Sequence, residues 1–414
     1  MKSDLSGFYG LSIEKRLAIV KENCGLTEEE ADALLKTVCL HHSNRMIENV
    51  IGTIELPMGI ATNFIVNNRD VLVPMAIEEP SVVAAASHAA KLARPEGFTA
   101  SSDEPVMIGQ VQIVSPQPGA RERIFDARAK IMEIANAKDS TLVKLGGGLK
   151  NIEVRELDTS RGKMIIVHLL VNVQDAMGAN AVNTMCEGAA PLLEELSGGR
   201  VLLKIISNLA VHRLTRAEAV WKKESIGEDI IEGILDAYAF AQSDPFRCAT
   251  HNKGIMNGVD AVLIATGNDF RAAEAGAHAF AALDGYRPLT SYEKNSDGDL
   301  VGSIELPMIA GIIGGATNSN PIAKISLKIL GVKRAHELSE IAACVGLANN
   351  FAALRAMVKE GIQAGHMKLH AHNIALTAGA SHEQAEKITE MMLKERKISV
   401  ARAAELLEEM KEKH

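Results

Sequence analysis

The sequence predicts an α+β chain. A large mixed α/β domain is interrupted by a ferredoxin-like βαββαβ unit and followed by a small helical C-terminal lobe. Three observations lead there. Between about 105 and 209 the apolar pattern alternates between strand and helix periods in the order βαββαβ. On either side of that stretch one segment is written twice, IGTIELPM at 51–58 and VGSIELPM at 301–308, with only two positions changed. Beyond about 365 the chain is polar, helical in pattern and rich in Lys and Glu. The expected divisions are 1–105 for the first part of the large domain, 106–209 for the insertion, 210–364 for the second part and 365–414 for the C-terminal lobe. Both copies of the repeat then belong to the large domain, and chance reuse of a good strand-and-stop sequence is the alternative.

In chain order, Ser12 can cap a helix ending near Gly25, and Thr27 with Glu30 forms a capping box for the next. NRDVLVPMAI, residues 68–77, is β-rich. Pro80 suits the first turn of a helix made thin by Ala84, Ala85, Ala86, Ala89 and Ala90, and Pro95 and Gly97 end it. In the insertion, strands are expected at Met107–Val114, Ile152–Leu157, Met164–Val173 and Arg200–Ser207. Helices are expected at Ala120–Ala137 and Ala179–Leu196, and DTSRG makes the turn between the central strands. After 210 the chain returns to helices and buried strands. The apolar run Leu306–Ile322 is broken by Asn318, Asn320 and Pro321, so it reads as a buried glycine-rich segment rather than a membrane span.

Length and composition narrow the function. At 414 residues the chain should hold two or three domains, and 47% hydrophobic with 23% charged residues is a globular balance. A net charge of −8 without a basic run disfavours nucleic acid, and 3% aromatics, with Trp221 the single tryptophan, leave no stacking platform for bases. Five cysteines, an odd number with no C-x-x-C, fit reduced thiols in the cytoplasm. MKSDLSGFYG has no apolar core of a signal peptide, so a cytoplasmic protein without a membrane anchor is expected.

Four segments could carry chemistry. DAMGAN, Asp175 to Asn180, lies where an apolar strand ends and a small-residue helix begins. Its N–H groups and helix dipole suit an anion such as a dinucleotide pyrophosphate, with Gly178 allowing close approach; an ordinary helix capped by Asp175 is the alternative. A Rossmann site is not supported, because the glycine cluster LGGGLKN at 145–151 precedes a strand. Glu79, in Glu78-Glu79-Pro80-Ser81, is a carboxylate between an apolar run and a packed helix. Partial burial there would favour proton donation, a solvated cap being the other reading. DPFRCATHNKGIMNG, 244–258, reads as a polar loop beside an apolar strand AVLIA, with Arg247, His251, Asn252, Lys253 and Asn257 close together and Gly254 allowing a sharp bend. Asp269, at an expected helix start, could pair with Lys253. In GHMKLHAHN, His366 and His370 stand four apart with His372 nearby; surface or core histidines, a single general acid and a zinc site are the readings in that order.

Taken together and in this order, ENVIGTIELP at 48–57, EEPS at 78–81, DAMGAN, THNKGIMNG at 250–258, TGND at 266–269, GGAT at 314–317 and EGIQAGHM at 360–367 are specific. The chain resembles hydroxymethylglutaryl-CoA reductase, in particular the soluble class II form of prokaryotes. The resemblance implies a four-electron reduction of HMG-CoA to mevalonate and CoA by two NAD(P)H, reversible in direction. It implies Glu79, Lys253, Asp269 and His366 as the catalytic set, and Ser81, Arg247 and Asn257 around the hydroxymethylglutaryl group. Asp175, Met177, Gly178 and Asn180 would face the dinucleotide, the insertion would be its domain, and the C-terminal lobe with His366 would open for cofactor exchange. Asp139 matches an aspartate of enzymes that use NAD(H), so NAD(H) is favoured over NADP(H), although Lys138 and Lys144 lie close by. A homodimer with a shared active site, assembled into a larger oligomer, is also implied. Asn349 stands where the family often has Gln, and Ala364 where a polar or basic residue is usual. A metal-dependent hydrolase built on the three histidines and a non-enzymatic ligand-binding module are the rival readings.

Overall fold

The computed structural model describes residues 2–35, 43–315, 317, 320–359, 371–395 and 397–411. Both N-terminal caps form. Ser12 accepts from Lys15 N at the start of helix Ile13–Cys24, and Thr27 and Glu30 make the reciprocal capping box of helix Glu28–Leu34.

Among the described residues ten strands follow: β1 (Met58–Val66), β2 (Arg69–Ala76), β3 (Phe98–Ser102), β4 (Val106–Val114), β5 (Gly148–Thr159), β6 (Gly162–Asn172), β7 (Arg200–Ser207), β8 (Leu214–Trp221), β9 (Thr290–Lys294) and β10 (Leu300–Pro307). They form a six-stranded sheet ordered β2-β1-β3-β8-β10-β9 and a four-stranded sheet ordered β5-β6-β4-β7. Every pairing in the smaller sheet is antiparallel, and its order is that of a ferredoxin-like unit. Alternate residues of β4 and β6, such as Met107, Val111, Ile113, Val167 and Leu169, turn to one side and meet the buried face of helix Ala179–Ser197. The helix expected at Ala120–Ala137 is two helices, Ala120–Asp126 and Arg128–Ala137. Ala127 leaves the helical region between them, at φ −87° and ψ 7°, and periodicity alone does not register such a local break. A third short helix, Ser140–Lys144, is capped by the Asp139 carboxylate.

The core of the larger sheet is organised by helix Ala335–Lys359. Among the described residues it is the one helix long and apolar enough to cross a membrane, yet it runs buried through the protein interior. Trp221 of β8 stacks on its Phe351 with ring centroids 3.9 Å apart, and the indole N–H donates to Ala89 O at 3.1 Å. One side chain thus joins the sheet, the alanine-rich helix Val82–Leu92 and the central helix. That alanine-rich helix begins at Val82 rather than at Pro80, because Ser81 takes a left-handed conformation (φ 75°) just ahead of it.

The repeated segment does not repeat in structure. Its second copy is β10, hydrogen-bonded between β8 and β9 with Ile304 and Leu306 buried. The first copy, up to Pro57, lies outside any strand, with Ile51 and Ile54 almost wholly in solvent. The apolar run after β10 is continuously buried only as far as Gly311; Ile313, Gly314 and Gly315 are exposed and Thr317 is buried, so the expectation of one unbroken buried segment fails at 313–315. Residues 371–411 contain a small core of their own, around Ala375, Ile388, Met392 and Leu406.

Two predictions concern this core. Trp221→Leu should lower the unfolding free energy by about 3 kcal/mol, read from denaturant curves by circular dichroism. Burial, with Glu274 beside it, raises the Asp260 carboxyl to about 7, and its Oδ1 finds no hydrogen-bond partner among the described residues. An acid raised on folding loses its contribution as pH climbs from about 4, the unfolded value, through about 7. Asp260→Asn should therefore raise the melting temperature at pH 8 more than at pH 5; an equal shift at both would contradict this.

Candidate active site

The stretch read as a polar loop is helical. Residues Pro245–Ala265 form one helix, capped by Asp244, whose carboxylate accepts from Phe246 N and Arg247 N, with Pro245 at the first position. AVLIA is its last turn, not a strand. The polar density hid the period, because two of those five polar residues, His251 and Asn252, are internal. His251 is buried, its Nε2 2.6 Å from Thr290 Oγ1, and Asn252 ties Arg287 O and Leu289 N to the helix. Burial, reinforced by the Arg247 charge, lowers the His251 imidazole to about 3, so this ring is a neutral brace.

The other polar groups share one face of the helix, which His251 borders. Arg247, Thr250, Lys253 and Asn257 line a cavity of about 370 Å³, together with Glu79 and Ser81. Lys253 Nζ lies 2.7 Å from Glu79 Oε2, and Asn257 Nδ2 lies 3.4 Å from the same oxygen. Ser81 sits at the cap position of its helix without a side-chain bond to it, and lines the cavity. The Arg247 guanidinium touches Met357 Sδ at 3.9 Å, and no carboxylate lies within ion-pair distance of it among the described residues. Asn349 lines the cavity from the central helix, its amide bonded back to Val345 O at 3.4 Å. Sequence reasoning did not single out Thr250 or Met357; Thr250 follows from the spacing on helix Pro245–Ala265, whereas Met357 reaches the cavity from helix Ala335–Lys359.

Asp269 is elsewhere. It caps helix Phe270–Ala281 through Ala272 N, and its nearest cation is Arg271 at 3.4 Å. Lys253 and Ala265 are separated by twelve residues of continuous helix, roughly 18 Å of rise. The expected Lys253–Asp269 pair is therefore impossible within one chain, and Glu79 takes that place.

Asp269 instead adjoins the DAMGAN turn. Its neighbour Asn268 accepts from Gly311 N at 2.7 Å, and Ile312 N donates to Asp175 O at 2.9 Å. Asp175 does not cap its own helix. Its carboxylate accepts from Ala335 N at 2.8 Å and from Arg334 Nε, and so caps the central helix. Helix Ala179–Ser197 starts at Gly178 (φ 109°) with no side-chain cap, and a Cβ at Gly178 would fall 2.6 Å from Val173 Cγ1. Its first N–H groups are left for an outside acceptor, which fits a dinucleotide phosphate. Met177 is half-buried beside this turn and Asn180 is exposed on it. His366, His370 and Ala364 lie outside the described residues; His372 is described, with no metal-binding cluster around it among the described residues.

Comparison with known proteins identifies the family. The sequence profile of the family described as hydroxymethylglutaryl-coenzyme A reductase matches residues 12–371. The chain is 58% identical to a 3-hydroxy-3-methylglutaryl-coenzyme A reductase of Archaeoglobus fulgidus, over 99% of this chain and 95% of that one. It is 36% identical to a probable reductase of the same name from Borreliella burgdorferi, over 80% and 77% of the two chains. Among solved structures it is similar to the class II enzyme of Streptococcus pneumoniae bound to NADPH in open conformations, at a TM-score of 0.82 and 40% identity over 97% of this chain and 100% of that one. A second structure of the Streptococcus pneumoniae enzyme gives a TM-score of 0.84. With the motifs in order, the cavity built around Lys253 and a profile match over most of its length, the chain belongs to the hydroxymethylglutaryl-coenzyme A reductase family.

Proposed function

We propose that this NAD(P)H-dependent oxidoreductase reduces HMG-CoA to mevalonate at a site shared by two copies of the chain. One copy gives Glu79, Ser81, Arg247, Lys253 and Asn257. The other gives Asp269 and the 175–180 turn. The observation that carries this reading is the split along one helix, with Lys253 beside Glu79 and Asp269 beyond the far end. The segment 51–57 supports it, since Ile51, Ile54 and Leu56 are exposed in the single chain and a second copy would cover them.

Taking a thioester to an alcohol requires four electrons, two protons and departure of CoA. Reduced nicotinamide supplies the electrons as two hydrides in turn. Arg247, with no carboxylate paired to it among the described residues, suits the free carboxylate of the hydroxymethylglutaryl group as a bidentate pair. Ser81 and Asn257 offer hydrogen bonds to the same group. Lys253 stands where negative charge grows on the carbonyl oxygen and stabilises it, with Asp269 of the partner subunit orienting the ammonium. Glu79, in contact with Lys253, gives a proton to the aldehyde oxygen as it becomes the alcohol. Protonation of the departing CoA thiolate is assigned to His366.

NAD(H) is the favoured cofactor. Asp139 caps helix Ser140–Lys144 and so holds a fixed carboxylate in that domain, which would repel a 2′-phosphate. The Streptococcus pneumoniae relative, in contrast, is bound to NADPH. A cytoplasmic location is supported by Cys186, Cys248 and Cys344, all buried and unpaired. A larger assembly of dimers is proposed from the class II likeness.

Lys253→Ala should lower kcat about a thousandfold with the fold intact. Unfolding and refolding a mixture of Lys253→Ala and Asp269→Ala chains should restore about a quarter of wild-type activity, since each mixed dimer regains one whole site. Activity no higher than that of either parent would place the site within a single chain. Initial rates with NADH and NADPH on purified enzyme test the cofactor assignment. NADH should give the higher kcat/KM, and Asp139→Ala should narrow the gap; a preference for NADPH in the wild type overturns the role given to Asp139.

A further inference from the structure

The 175–180 turn is fastened to the larger sheet by one buried cation. Arg213 is 4% exposed. Its guanidinium donates to Met177 O at 3.1 Å, to Ala176 O at 3.4 Å from each terminal nitrogen, and to Ala310 O. Its own carbonyl accepts from Met308 N at 3.1 Å. Burial lowers its pKa to about 10, with Asp175 opposing, so the group stays charged at neutral pH. Among the described residues no carboxylate touches it; backbone carbonyl dipoles from two separate segments hold the charge instead.

This arrangement orients backbone as well as joining it. Across a trans peptide the C=O and the following N–H point to opposite sides. Gripping the carbonyls of Ala176 and Met177 therefore turns the next N–H groups away from Arg213, just ahead of the uncapped start of helix Ala179–Ser197. The other segment held by Arg213 continues through Gly311, whose N–H donates to Asn268, the residue before Asp269. Gly311 also has no room for a side chain, since a Cβ there would fall 2.4 Å from Met177 N.

We infer that Arg213 is a positioning residue for hydride transfer, fixing the cofactor-facing turn to the 308–313 segment and through it to Asp269. The inference rests on the reading that the 175–180 turn faces the dinucleotide. It assigns Arg213 no contact with substrate or cofactor.

Hydrogen exchange on the wild-type enzyme, with and without saturating NADH, separates the two ideas. Slower exchange at 178–182 together with 310–315 is expected. Protection at 178–182 alone overturns the link through Arg213 and leaves the cofactor reading standing. No protection at 178–182 removes the cofactor reading and this inference with it. Arg213→Lys keeps the charge but loses the fork. It should raise the cofactor KM roughly tenfold while the KM for HMG-CoA stays within about twofold. A variant with a lowered melting temperature but wild-type kcat and cofactor KM would show a brace without a role in positioning. If the variant does not fold, the exchange experiment on the wild type still decides.

Discussion

The contact on which the site depends is the close approach of two helices, Pro245–Ala265 and Ala335–Lys359. At Gly258 the backbones come so near that a Cβ would meet Val345 O at 2.7 Å, and Gly346 gives the reciprocal space to Ile255. With the inner face clamped, the outer face has one orientation left, and that face carries Arg247, Lys253 and Asn257 toward Glu79. His251 and Asn252 reinforce the clamp from within through Thr290, Asn350 and the backbone at 287–289. The polar residues of this helix therefore divide into those that hold it and those that act.

The second constraint is length. A helix is a rigid spacer, and this one keeps the lysine and the aspartate of the motif set apart. What the spacer separates at one end it gathers at the other, where Asn268, Asp175, Gly311 and Arg213 bring the 175–180 turn next to Asp269. The chain thus presents two finished halves, each with its own supporting hydrogen bonds.

Much of this was legible before any coordinates. Caps at Ser12 and Thr27, the βαββαβ order of the smaller sheet and the helix start at Asp269 follow from local chemistry that distant contacts do not override. Residues 244–258 misled because polarity was taken for exposure, whereas His251 and Asn252 are polar and internal. Asp175 misled because a carboxylate at a helix start is ordinarily its cap. Here the acceptor serves a helix some 160 positions later, a partnership no local pattern encodes. The repeat at 51–58 and 301–308 misled in a similar way: equal sequences have unequal neighbours, and only the second copy finds strands on both sides.

The reach of that one helix has a consequence for the living cell. A newly made chain, however well folded, carries a lysine without its aspartate, and under the shared-site proposal it is inert until it meets its like. Reducing power is then not spent on unassembled copies, and output rises more steeply than expression when chains are scarce.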